Sequence, residues 1–242
     1  MIEKFRKNIS PPLLACVLAA VIVGYLLFVS PINGYADNGD FARVIYINGI
    51  YPLDIKNYHY TTYLTQHYGL FKYYNEHTAM LFSSQGIFVK LAILLNKLFY
   101  SKTIFDIRFM GLVYYVFYLG AIYLLTLALT NSKKRENVDY VIALIIVFVF
   151  SDSSLTLYFN SFFAEPIMII SMMYITSSLL LLMKRYFTHD WCMLAVYFLA
   201  SVALITVKQQ NAPLALSLVV VTIGIYFVYR NKLYRLLIPI SC

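Results

Sequence analysis

Gln85-Gly86-Ile87-Phe88-Val89-Lys90-Leu91-Ala92-Ile93-Leu94-Leu95-Asn96-Lys97-Leu98-Phe99 is the stretch on which the topology of this chain turns. Ile87, Leu91, Leu94, Leu95 and Leu98 fall at helical spacing, and Lys90 and Lys97 recur one heptad apart on a polar edge. The segment is short for a membrane span. Its pattern is that of an interfacial amphipathic helix, lying on a bilayer with lysines toward the headgroups. If it crossed instead, every later basic cluster would change sides.

The surrounding sequence makes a membrane the relevant solvent. The chain is 61% hydrophobic and 12% charged, with mean hydropathy +0.72, against roughly 45–50% apolar and about 25% charged in soluble domains. Apolar runs of about 20 residues, enough for roughly 30 Å of hydrocarbon, recur along it. The first, Pro11 to Ser30, follows Lys4, Arg6 and Lys7. It is longer than the roughly 7–15 residues of a signal h-region and lacks a convincing cleavage site, so it reads as a retained helix.

Further spans are expected from Arg108 to Thr130, Tyr140 to about Tyr158, Pro166 to Met183, Trp191 to Val207 and Pro213 to Tyr229, with a last one beginning near Leu233. Between them, Lys133-Lys134-Arg135, Lys184-Arg185, and Arg230 with Lys232 and Arg235 share one side with the N-terminal cluster. The positive-inside rule makes that side cytoplasmic, provided that 85–99 does not cross.

The expected fold is an all-α polytopic membrane bundle of six to seven transmembrane helices, with one or two interfacial helices in a long first external loop. Residues 1–10 are the cytoplasmic tail, 11–30 the first helix, 31–107 the external loop, and 108–242 the remaining helices of a single membrane domain. The chain ends at Cys242 inside an apolar stretch, which reads as an N-terminal part or a truncated product.

The net charge of +8 does not indicate nucleic acid, because basic residues lie between apolar runs rather than along one soluble face. Cys16, Cys192 and Cys242 are odd in number and have neither disulfide nor metal spacing. Tyr58, Tyr60, Tyr63, Tyr68, Tyr73 and Tyr74 crowd the first loop, where membrane anchoring is the plainer reading and sugar stacking the other. His59, His67 and His77 have no metal spacing and receive no role.

The external side then gathers a small polar set. Asp37, Asp40 and Arg43 follow the first helix, Glu76 and His77 precede 85–99, and Asp152, Asn160 and Glu165 lie between the third and fourth spans. Lys208 lies between the fifth and sixth with Gln209, Gln210 and Asn211. Glu165 precedes Pro166 and can serve as a helix cap. An ionisable group near membrane depth otherwise faces a cavity. Lys208 can hold a phosphate as a point charge or snorkel to headgroups.

This layout resembles the GT-C class of polyprenyl-phosphate-sugar-dependent membrane glycosyltransferases, which have an acidic residue early in a long first external loop and a second in the turn after the third helix. Asp40 and Glu165 fill those positions. The words Asn38-Gly39-Asp40-Phe41-Ala42-Arg43 and Tyr158-Phe159-Asn160-Ser161-Phe162-Phe163-Ala164-Glu165-Pro166 look like those of bacterial surface-glycan proteins, including the S-layer glycan hexosyltransferase group. The likeness covers nearly the whole chain.

The resemblance implies a multi-pass cell-membrane enzyme that moves a hexose from a polyprenyl-phosphate carrier to a cell-surface glycan or lipid-linked acceptor, with inversion. Asp40 and Glu165 are the implied catalytic carboxylates. Asp37, Arg43, Asn160 and Lys208 are the implied substrate contacts, with Arg43 and Lys208 suited to the phosphate. Glu165 has no carboxylate neighbour in an Asp-x-Asp pair, so no divalent metal or other cofactor is implied. The expected partners are the carrier-linked sugar, the glycan acceptor and the bilayer. A transporter or flippase for lipid-linked glycans, and a non-catalytic scaffold in a glycan-assembly complex, are the other readings.

Overall fold

A computed structural model describes residues 9–53, 64–72, 83–130, 135–188 and 190–237. The protein is an all-α membrane helical bundle, and the described part of the first loop also carries a small sheet.

Helix α1 (Pro11–Phe28) begins with prolines in its first turn, where a missing N–H costs nothing. Its buried stripe is Pro11, Ala15, Ala19, Val23 and Leu27, a strict four-residue repeat whose alanines let a neighbour come close. That neighbour is α4 (Arg108–Leu129), at the centre of the bundle, where the Tyr115 hydroxyl donates to the Ala20 carbonyl at 2.9 Å. The opposite face of α1, including Val17, Val21 and Tyr25, is exposed, as a lipid-facing surface would be.

α1, α4 and α7 (Glu165–Met183) are long and apolar enough to cross a bilayer. Helix α5 (Asn137–Phe150) joins them only with the segment after it, Ser153–Asn160, bent 54° away. The single span expected from Tyr140 to Tyr158 is thus broken. Ser151-Asp152 interrupts the helical ladder there, and Asp152 caps the short α6 (Ser153–Thr156) by accepting from the Ser154 N–H at 2.7 Å. A 3-10 turn, Leu157–Asn160, follows.

Helix α8 (Trp191–Val207) and the first part of α9, Leu214–Ile225, are apolar but shorter. Among the described residues no break precedes Leu233: α9 runs unbroken from Leu214 to Leu237. Arg230, Lys232 and Arg235 therefore sit on one continuing helix.

Hydrogen bonds fix which helix ends lie together. At one end the Tyr140 hydroxyl donates to the Ile9 carbonyl, and Lys184 to the Ala128 carbonyl. At the other end the Asn160 amide donates to Leu27 at 2.9 Å and to Asn33 at 2.8 Å. The start of α1, the end of α4, the start of α5 and the end of α7 thus share the end that carries Arg135 and Lys184-Arg185.

Gln85–Phe99 is a helix, α3, and it does not pass through the bundle. At its start Ser83 and Ser84 donate to the Val207 and Ala203 carbonyls of α8 at 2.9 and 2.8 Å. At its finish Phe99 and Tyr100 line a cleft with Phe28, Arg108 and Phe109, which belong to the same bundle end. Its length, about 22 Å at 1.5 Å per residue, is also short of a bilayer core. The buried side is Gln85, Val89, Ala92 and Asn96, whereas Ile87, Leu91, Leu94 and Leu98 are exposed. The helix thus binds the protein through its small and amide residues and leaves its aliphatic row exposed, as an interfacial helix would.

Strands β1 (Ile50–Pro52), β2 (His67–Leu70) and β3 (Ile104–Asp106) form an antiparallel sheet in the order β1-β2-β3, pairing Tyr51 with Gly69 and Tyr68 with Phe105. Tyr68 is fully buried against Phe162, so this tyrosine belongs to the core rather than to an interfacial belt. Tyr58, Tyr60, Tyr63, Tyr73, Tyr74, His59, Glu76, His77 and Cys242 lie outside the described residues.

Gly111 marks the tightest approach around Asn160. A methyl there would collide with Asn160 Oδ1 and touch the Phe28 ring at 3.7 Å. Gly111→Ala should destabilise the protein by about 1–3 kcal/mol, the usual cost of overpacking a filled interior. Thermal unfolding in detergent reads this as a lowered midpoint, and an unchanged midpoint would refute the close fit.

Candidate functional site

Helix α2 (Phe41–Ile47) follows the Asn38-Gly39-Asp40 turn. Asp37 builds that turn: one oxygen, Oδ1, accepts from Gly39 N–H at 2.8 Å and from Phe41 N–H at 3.1 Å. Gly39 takes φ +102°, a left-handed conformation that suits glycine. Asp37 thus positions the turn. Asp40 projects from it, exposed, and among the described residues its carboxylate makes no bond. Arg43 lies on the same short helix, also exposed.

The second acidic word packs directly on the first. Phe41 meets Phe162 and Phe163 edge-to-face, with ring centroids 5.5 and 4.8 Å apart. Phe162 also touches Tyr68 of β2 and Phe105 of β3, at 5.2 and 5.9 Å. One buried ring therefore joins α2, the sheet and the turn that leads into α7. Gln85 at the start of α3 ties in as well, donating to the Phe162 and Phe163 carbonyls at 2.6 and 3.0 Å.

Glu165 opens α7 just beyond these rings. Its Oε1 receives the Lys208 ammonium at 2.6 Å, with both side chains about one third exposed. Oε2 is buried and has no donor among the described residues. A buried acceptor left open is unusual, and a ligand hydroxyl would complete it. Lys208 caps the end of α8, and its partner explains how a cation is tolerated at the end of the bundle away from the other basic clusters. The sequence offered the two residues separately; the fold makes them a pair.

Asn160 sits inside the protein beneath that turn. It is fully buried, and its Nδ2 donates to the Leu27 and Asn33 carbonyls, which makes it a staple between the first helix and the third-span turn, while its Oδ1 has no donor among the described residues. Asp152, the remaining acid of that turn, is spent as a helix cap.

Sequence reasoning missed a further charged cluster beside the sheet. Asp106 is fully buried and holds Arg108 through a forked contact whose shortest arm is 2.6 Å, and it accepts from Gln66 at 3.0 Å. His67 lies 3.5 Å away, and Asn96 of α3 accepts the Asp106 N–H at 2.9 Å. Burial pushes the Asp106 carboxyl upward, but the Arg108 and Gln66 bonds outweigh it and hold the group below the usual carboxylate range. An acid and an arginine two residues apart carry no such signal in the sequence, since Gln66 and Asn96 arrive only through the fold.

Among the described residues no three His, Cys, Asp or Glu side chains gather as a metal site. No curated protein and no solved structure matches the chain. One family model, described as the YfdI N-terminal transmembrane domain, matches residues 1–242.

Proposed function

Because the chain belongs to the family of YfdI N-terminal transmembrane domains, we propose that it works as a membrane glycosyltransferase, moving a hexose from a polyprenyl-phosphate carrier to a cell-surface glycan or lipid-linked acceptor. The observation that carries this reading is the packing of Phe41 on Phe162 and Phe163, which gathers the Asp40 and Glu165 words at one end of the bundle. That end faces outward if the basic end is cytoplasmic.

The two carboxylates suit different tasks. Asp40, exposed and without a side-chain bond among the described residues, accepts the proton of the acceptor hydroxyl as its oxygen attacks the anomeric carbon. The bond from that carbon to the phosphate oxygen breaks, and the polyprenyl phosphate leaves with the electron pair. Arg43, with a guanidinium shaped for two phosphate oxygens, neutralises the departing group. Glu165, oriented by Lys208, accepts a sugar hydroxyl at Oε2. Asp37 and Asn160 position the turns that hold these groups.

The test is transfer from a radiolabelled polyprenyl-phosphate hexose in membranes bearing the chain. Label in a glycan or lipid-linked acceptor supports the reading, and carrier that stays loaded with every hexose tried overturns it. The bent span at Ser151-Asp152 favours a second reading, a transporter of lipid-linked glycans, since such proteins use broken helices. It predicts movement of labelled carrier across the bilayer without transfer.

Orientation has its own test. With Cys16, Cys192 and Cys242 replaced by serine, Asp40→Cys should react with an impermeant maleimide applied outside intact cells, and Arg135→Cys should react only after permeabilisation. The reverse pattern would invert the topology and remove Asp40 from the outer face.

A further inference from the structure

We propose that a cleft between α3 and the α2–β1 turn binds the phosphate headgroup of a hydroxyl-bearing anionic membrane lipid. It is separate from the Glu165–Lys208 pair and does not depend on the transferase reading. The cleft, about 150 Å³, is lined by Asn48, Gly49, Phe71, Lys90, Ile93 and Lys97. Gly86, Lys90, Ile93 and Lys97 fall at positions i, i+4, i+7 and i+11, one stripe of α3, so both lysines serve the same side of the cleft.

Asn48 supplies the independent observation. It is 5% exposed, its amide donates to the Val44 carbonyl at 2.8 Å, and its Oδ1 is buried with no donor among the described residues. That oxygen faces the stripe, since it is the atom that a methyl added at Gly86 would meet, at 3.8 Å. Two ammonium groups and an open acceptor match a phosphate that carries a hydroxylated substituent.

The membrane is the source because of the adjacent stripe. Ile87, Leu91, Leu94 and Leu98 lie one position further on, rotated about 100° around the helix, and all are exposed. A lipid whose phosphate sits between Lys90 and Lys97 lays its chains along that aliphatic row. A soluble phosphate gains nothing from it.

The experiment uses the full chain in phosphatidylcholine nanodiscs, titrated with fluorophore-labelled short-chain phosphatidylglycerol. Lys90→Gln and Lys97→Gln should each weaken binding about fivefold, as expected for one cation against an anionic headgroup. Lys102→Gln, an equal loss of charge outside the cleft, should leave it unchanged. Wild type should prefer phosphatidylglycerol to phosphatidylmethanol, which has the same charge and no hydroxyl, and Asn48→Ala should bind both alike. Equal weakening by Lys102→Gln, or no headgroup preference in wild type, would overturn the site. Displacement by soluble glycerol phosphate as effective as by the lipid would overturn the membrane source.

Discussion

Asp40→Asn should lower hexose transfer by roughly 10²–10⁴-fold, the range associated with loss of a positioned general base. The substitution keeps the size of the side chain and removes only its capacity to take a proton. It should also leave the protein intact, because the Asp40 carboxylate is exposed and makes no bond among the described residues. The turn is held instead by Asp37, whose oxygen accepts from Gly39 and Phe41. Transfer at constant expression and constant thermal midpoint is therefore the informative pair of measurements. Full activity in Asp40→Asn would remove the base, and a lowered midpoint with lost activity would turn Asp40 into a structural residue. Glu165→Gln gives a contrast: it weakens the Lys208 contact and the hydroxyl acceptor together, so its loss should fall on sugar binding as well as on rate.

Asp106→Asn should destabilise the protein by about 3 kcal/mol, near the lower end for breaking a buried ion pair, since Arg108 keeps contact with solvent. The loss reaches beyond one bond. Asp106 joins β3 to the first turn of α4 through Arg108 and to the segment before β2 through Gln66. Its backbone also meets Asn96 of α3. Removing the charge leaves Arg108 and Gln66 facing a weaker acceptor and loosens the sheet from the bundle. Thermal unfolding should show a lowered midpoint, with local exchange of amide hydrogens rising first in 67–70 and 104–106.

The same residue sets a pH dependence. Its folded carboxyl is held below the ordinary value of about 3.9, so the contribution is fully present above that value. It is lost as pH falls through the lower folded value. The stability gap between wild type and Asp106→Asn should stay constant from neutrality down to about pH 5 and close only in stronger acid. A gap that closes near neutrality would mean that another group controls the cluster.

The partial legibility of the site follows from how each residue does its work. Asp40 and Glu165 stand out in the sequence as candidates because a carboxylate beside a membrane span has few plain explanations. Asp37 Oδ1 and Asn160 Nδ2 are directed at backbone groups, a use of these side chains that no local pattern announces. Sequence names a donor or acceptor and cannot say whether the chain itself will satisfy it. Gln85 lay at the edge of an amphipathic pattern, and its bonds to Phe162 and Phe163 reach 77 and 78 residues along the chain. The basic residues before Leu233 suggest a turn, while among the described residues the backbone continues as helix through them.

Hydropathy and charge by themselves determined that this is a membrane bundle, because apolar runs and basic clusters act locally on lipid and headgroups. They also determined that Gln85–Phe99 is amphipathic and too short to span. Tertiary structure alone decided which face of that helix meets the protein, where α5 breaks, and that Glu165 is held by Lys208 from 43 residues away. Those outcomes depend on packing between distant segments, above all around the Phe162 ring, and no local pattern of residues encodes them.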